Sequence, residues 1–128
     1  MAENSVSDEV KRFITDQIRS VAQLEILLLV RSRAPTEISP DEAARELAID
    51  AQWAASELHR LAGRGFLLER PGSPAVYSFA PESKELERTI EAVDTAYKRQ
   101  RVTLVELIFK KPTDVARAFA DAFRFRRN

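Results

Sequence analysis

The chain has 128 residues, with 20 basic and 20 acidic side chains, 45% hydrophobic residues and a formal net charge of zero. That length supports one domain, or one domain with a helical appendage, and the apolar content excludes wholesale disorder. There is no cysteine and one histidine, His59, which excludes disulfide frameworks, thiolate metal sites, cysteine nucleophiles and two-histidine zinc arrangements. Three glycines are too few to assemble a phosphate-cradling loop, so no cofactor is expected. The longest apolar run, Ile26 to Val30, is far below the roughly 20 residues of a membrane span. The acidic, polar start at Met1-Ala2-Glu3 lacks the basic head and apolar core of a secretory signal. The expectation is a soluble, cytoplasmic protein with no membrane partner.

In chain order, Ser7 followed by Asp8 and Glu9 opens a first helix, with Val10, Phe13, Ile14 and Ile18 at helical spacing. Ser20 caps a second, whose run Leu24 to Val30 is apolar on most sides and so belongs in the domain centre; Pro35 ends it. Ser39-Pro40-Asp41-Glu42 is the clearest start signal: a serine cap, proline at the first helical position, then acids. A short small-residue helix follows to about Ala48. Asp50 then caps a helix from Ala51 to about Arg64, with Ala54, Leu58 and Leu61 inward and Gly63 and Gly65 at its end. Phe66–Arg70 and Ala75–Phe79 flank the breaker Pro71-Gly72-Ser73-Pro74 and read as a β-hairpin.

Helix, short helix, helix, hairpin is the order of a winged helix-turn-helix. Beyond it, a helix from about Ser83 to Phe109 would be about 40 Å long, with Leu86, Ile90, Val93, Tyr97 and Leu104 as an apolar stripe that skips a turn at Gln100. Pro112 stops it, and a short terminal helix carries Val115, Phe119 and Phe123. The expected fold is therefore mainly α with a small β-hairpin wing, a long C-terminal helix and a short terminal one. Its divisions are an N-terminal helix (1–19), a winged helix-turn-helix domain (20–82) and a C-terminal helical dimerisation extension (83–128). The Leu86–Leu104 stripe reads as a homodimer seam, because so long a helix should outrun its own domain; the other reading packs it back on Leu24–Val30.

The segment Leu47-Ala48-Ile49-Asp50 through Leu58-His59-Arg60-Leu61-Ala62-Gly63-Arg64-Gly65-Phe66-Leu67 resembles bacterial winged-helix transcription regulators of the MarR type. The resemblance covers about residues 20–79. Val105-Glu106-Leu107-Ile108-Phe109 and Phe119-Ala120-Asp121-Ala122-Phe123-Arg124 are also similar to small uncharacterised bacterial winged-helix proteins with a C-terminal helical extension. The resemblance implies a recognition helix that enters the major groove of double-stranded DNA. Its outward positions here are Gln52, Trp53, Ser56 and Arg60, with Arg70 and Ser73 on the wing. A glutamine amide matches the donor and acceptor edge of adenine, and serine reaches a base or a phosphate. Trp53 and Ala55 depart from the small hydroxylated and basic residues usual in that group.

The zero net charge is a cancellation. Residues 1–97 hold 11 basic and 17 acidic side chains, a balance of −6; residues 98–128 hold nine and three, a balance of +6. Asp41 to Glu57, the stretch that should approach DNA, holds five acids and one arginine, Arg45. Because DNA affinity rests largely on neutralised phosphates, a rival function stands beside the DNA-binding homodimer: a winged-helix protein-interaction module using the acidic helix face or the basic tail. Nothing in the sequence assembles a nucleophile, base and anion site, so an enzyme is not expected.

Overall fold

The structure is a computed structural model and describes residues 6–110. The expected terminal helix and the tail cations from Lys111 onward lie outside the described residues.

Capping side chains set most of the element boundaries. α1 (Asp8–Gln17) begins where the Ser7 hydroxyl accepts the Val10 N–H, and α2 (Val21–Arg33) where Ser20 accepts that of Gln23. α3 (Pro40–Leu47) opens with a complete capping box: Ser39 Oγ accepts the Glu42 N–H at 3.2 Å, and Glu42 Oε1 accepts the Ser39 N–H at 2.9 Å. α4 (Ala51–Gly63) starts at Asp50, whose carboxylate accepts the Trp53 N–H at 2.9 Å. β1 (Leu67–Arg70) and β2 (Val76–Phe79) form the antiparallel hairpin, in register Leu67 with Phe79 and Arg70 with Val76. Ser83 caps α5 (Lys84–Arg99), which is followed by α6 (Arg101–Lys110).

Two junctions depend on backbone geometry. Between α3 and α4 the chain turns at Ala48 in the left-handed region, φ 56°, where a β-carbon is crowded by the next carbonyl. After α4 it turns at Gly65, φ 86°, where a β-carbon would also lie 2.1 Å from Glu82 Oε2. The positive φ is what favours glycine there, since the Glu82 carboxylate is the movable end of an exposed side chain.

A single apolar cluster runs through the molecule, with α2 at its centre: Leu24, Ile26, Leu27 and Val30 are fully buried. α3, α4 and β2 pack on α2, while α1 packs on α5 and α6. Polar bridges tie α2 to that second group. Arg31 pairs with Asp94, Tyr97 Oη donates to Glu25 at 2.9 Å, and Arg101 reaches the same carboxylate at 3.0 Å. Burial pushes the Tyr97 hydroxyl up from its ordinary pKa.

Two expectations are corrected here. The single helix from Ser83 to Phe109 is instead two, parted at Gln100 (φ −134°, ψ 50°). A straight helix would have carried Leu104 and Ile108 past the end of the body. The break turns α6 back against α1 and buries both. For the same reason the stripe proposed as a dimer seam is interior to one chain. Ile90, Val93, Tyr97 and Leu104 are buried among the chain's own helices, and Leu86 is half-buried. The skipped turn at Gln100 marks this break. The sequence also gives no sign of one backbone link: Ile38, just before α3, forms an isolated bridge to Tyr77, exchanging N–H···O bonds of 2.8 and 2.9 Å. It sets a one-residue third strand beside β2 and ties the wing to the start of α3.

Candidate nucleic-acid interface

α4 has one apolar side and one open side. Ala54, Leu58 and Leu61 are fully buried, as their spacing of four and three dictates, in a helix that packs on α3, β1 and α2. That rotation leaves Gln52, Trp53, Ser56, His59 and Arg60 exposed. Trp53 is 37% exposed, one of only four large hydrophobic side chains in that state among the described residues. It is the least exposed of the four, with part of its indole covered and part open to solvent. Asp50 caps the end of the helix from which Gln52 and Trp53 project.

On the wing, Arg70 and Ser73 are exposed, and Ser73 sits in the tip between the strands. Arg70 is not free: its Nε and Nη2 donate to the two oxygens of Glu37 at 2.8 and 2.5 Å. This two-pronged contact holds the Glu37 carboxyl below its ordinary pKa and raises that of Arg70. The same pairing recurs over this face. His59 Nδ1 lies 2.7 Å from Glu69 Oε1 on β1, joining helix to wing; Arg60 Nη1 lies 3.5 Å from Glu57; and Arg33 pairs with Glu46. Of the acids in Asp41–Glu57, Glu46 and Glu57 thus each face a cation, Arg33 and Arg60.

Sequence reasoning missed the polar group behind Arg60. Glu57 faces inward, 3% exposed, and accepts the Gln23 side-chain N–H at 2.5 Å; Gln23, equally buried, also accepts the Arg19 N–H at 2.6 Å through its amide oxygen. The signal was present, because Glu57 stands three residues after Ala54 and one before Leu58, on the apolar side. Arg64, at the end of α4, donates to the Gln17 backbone carbonyl at 2.9 Å and to its side-chain oxygen, and its guanidinium lies 5.1 Å from the Phe66 ring centroid. α1, α2 and α4 are thereby joined at one corner. No group of three or more acidic or histidine side chains among the described residues is placed to hold a metal ion, and no described helix is long and apolar enough to cross a membrane.

No protein-family model matches the sequence, and no curated protein matches it. Solved structures do match the fold. A mutant of MarR from E. coli complexed with operator DNA is 15% identical with a TM-score of 0.54, the match covering 92% of this chain and 81% of that one. YusO from Bacillus subtilis is 14% identical, TM-score 0.54, over 92% and 80%. BpsR from Bordetella bronchiseptica, whose DNA binding is regulated by 6-hydroxynicotinic acid, is 16% identical, TM-score 0.53, over 93% and 81%. At such identities it is the fold that is shared: this chain has the winged-helix architecture of MarR and related transcription regulators, the fold class read from its order of elements.

Proposed function

We propose that the chain is a DNA-binding winged-helix transcription regulator, acting as a homodimer and without enzymatic activity. The observation that carries the reading is the open face of α4, where Gln52, Trp53, Ser56 and Arg60 stand exposed beside the wing in a fold also seen in operator-bound MarR. A helix so presented fits the major groove; Gln52 suits an adenine edge, Ser56 a base or phosphate, and Arg60 a guanine edge or phosphate. On the wing, Arg70 and Ser73 fall to the sugar–phosphate backbone. Double-stranded DNA is the partner, and reading two half-sites requires a second copy of the chain. With the Leu86–Leu104 stripe engaged inside the chain, that contact falls to the exposed hydrophobic side chains of α6, Val102 and Phe109.

Titration of labelled genomic and random duplexes at about 50 and 200 mM salt tests this. A phosphate-binding protein loses affinity steeply between those concentrations, and Gln52→Ala weakens binding without lowering the thermal midpoint. Absence of any complex at the lower salt rejects the DNA reading. Wild-type protein at monomer mass in light scattering rejects the homodimer, and Phe109→Glu should convert a dimer to that mass.

The pairing of Arg60, Arg70 and His59 with carboxylates favours a second reading, in which exposed Trp53 and the acidic α3–α4 face bind a protein instead. Capture of a basic protein partner that Trp53→Ala abolishes, with no DNA binding at any salt, would establish it.

A further inference from the structure

At the corner where α1 ends, α2 begins and α4 ends, a polar cavity of about 380 Å³ opens to the surface, lined by Asp16, Gln17, Arg19, Gln23, Arg60 and Arg64. Three of its six lining residues are guanidinium-bearing and one is a carboxylate. The guanidiniums come from different elements: Arg19 from the α1–α2 junction, Arg60 from the last turn of α4, Arg64 from just beyond it. Like charges do not gather without cause, and the structure holds Arg64 and Arg60 in place. Arg64 is tethered by Gln17 and lies against Phe66; Arg60 leans on Glu57, itself fixed by buried Gln23. Burial lowers the Arg64 pKa; Glu57 opposes this, while Arg19 and Arg60 add to it, the signature of cations held close together. Glu57 is the buried counter-ion of Arg60, and Asp16 is the one carboxylate on the cavity lining. Planar guanidiniums converging on an open cavity match the oxygens of a tetrahedral oxyanion.

We infer that Arg19, Arg60 and Arg64 form a phosphate-binding cradle at the C-terminal edge of α4. Arg60 also borders the open face of that helix, so a duplex seated on Gln52 and Ser56 would bring a backbone phosphate to the cradle. As a DNA contact the inference rests on the function proposed above; as an oxyanion site it does not. A free phosphate compound has the same chemistry, and the experiment separates the two sources.

Full-length wild type, Arg60→Ala and an Arg19→Ala/Arg60→Ala variant are titrated with a duplex at several salt concentrations, and separately with inorganic pyrophosphate by calorimetry. Arg64 is left intact because it packs on Phe66. If the cradle meets DNA, the slope of log affinity against log salt should fall in the double variant by about 0.9 beyond its value in Arg60→Ala alone, for each phosphate that Arg19 leaves unneutralised, whereas Arg88→Ala on α5 leaves it unchanged. Saturable pyrophosphate binding that the double variant abolishes, without that further change in slope or without DNA binding at all, assigns the cradle to a free oxyanion. A slope no lower than that of Arg60→Ala together with no pyrophosphate binding overturns the cradle and leaves the DNA reading standing if the wild type binds. Loss of the folded state in the double variant, seen by circular dichroism, moves the comparison to Arg19→Gln alone, where an unchanged slope and unchanged pyrophosphate binding overturn the cradle equally.

Discussion

α4 and α5 have the same design and opposite fates. Each is a capped amphipathic helix with an apolar stripe and a buried carboxylate that engages an arginine, Glu57 with Arg60 of the same helix and Asp94 with Arg31 of α2. In α4 the side left open by the stripe carries Gln52, Trp53 and Ser56, groups suited to a partner. In α5 the open side carries mostly charges, Glu85, Glu87, Arg88 and Glu91, and the stripe that looked like a seam is covered by α1 and α6. A helical stripe states that a face is covered; it does not state by whom. The functional information lies in what the stripe leaves exposed.

The largest effect that could break this comparison comes from α6. Leu104→Ala removes a fully buried side chain and should cost about 2–5 kcal/mol in urea unfolding, whereas Phe109→Ala, 76% exposed, should stay within about 0.5 kcal/mol for the monomer. Equal, small effects would return Leu104 to the surface and restore the seam. Next comes the carboxylate of α4: Gln23→Ala withdraws the hydrogen bond to buried Glu57 and should cost about 1–3 kcal/mol, with Arg60 as the remaining partner. A silent Gln23→Ala would mean that the polar group behind α4 contributes nothing to its placement.

The cap of α3 gives a smaller, pH-dependent effect. Ser39→Ala should cost about 1 kcal/mol, read as a lower urea midpoint at pH 7. Backbone and side-chain hydrogen bonds from Ser39 hold the Glu42 carboxyl below its ordinary value of 4.5. The unfolded chain therefore takes up this proton first. The stability that Glu42 contributes is complete above about pH 4.5 and is lost as the pH falls through the lower folded value. Glu42→Gln should flatten that part of the acid limb, whereas Ser39→Ala, which keeps the backbone N–H that Glu42 accepts, flattens it only in part; a limb unaltered by Glu42→Gln removes the capping box from the account. The smallest effect on stability belongs to Glu37→Gln, which leaves the urea midpoint unmoved because the Glu37–Arg70 pair is solvent-exposed. It releases Arg70, and duplex affinity should rise with a steeper salt slope. Unchanged affinity would place the wing away from the phosphates.

The legible features were local ones. Ser7, Ser20, Ser39 and Asp50 act as caps because a short side-chain oxygen meets an orphan N–H three residues on, and that rule needs no knowledge of the rest of the chain. The hairpin followed from a Pro/Gly breaker between two β-prone runs. Gln52, Trp53, Ser56 and Arg60 are exposed because Ala54, Leu58 and Leu61 must not be. Harder to see were residues whose role depends on a distant partner. Glu37 lies 33 positions from Arg70, and Gln23 lies 34 from Glu57. Ile38 meets Tyr77 only because α3 and α4 fold between them.

The sequence by itself determined the order of elements, their caps and the outward side of α4, since all three follow from spacing within one or two turns. It also held the split of a zero net charge into −6 and +6. Tertiary structure alone decided how those charges are used: which acids engage which cations on the α4 and wing face, that α5 stops at Gln100, and that three arginines share one cavity. Each is a matter of side chains meeting across the fold, where the gain depends on distance and burial. Those quantities exist only once the chain has closed on itself.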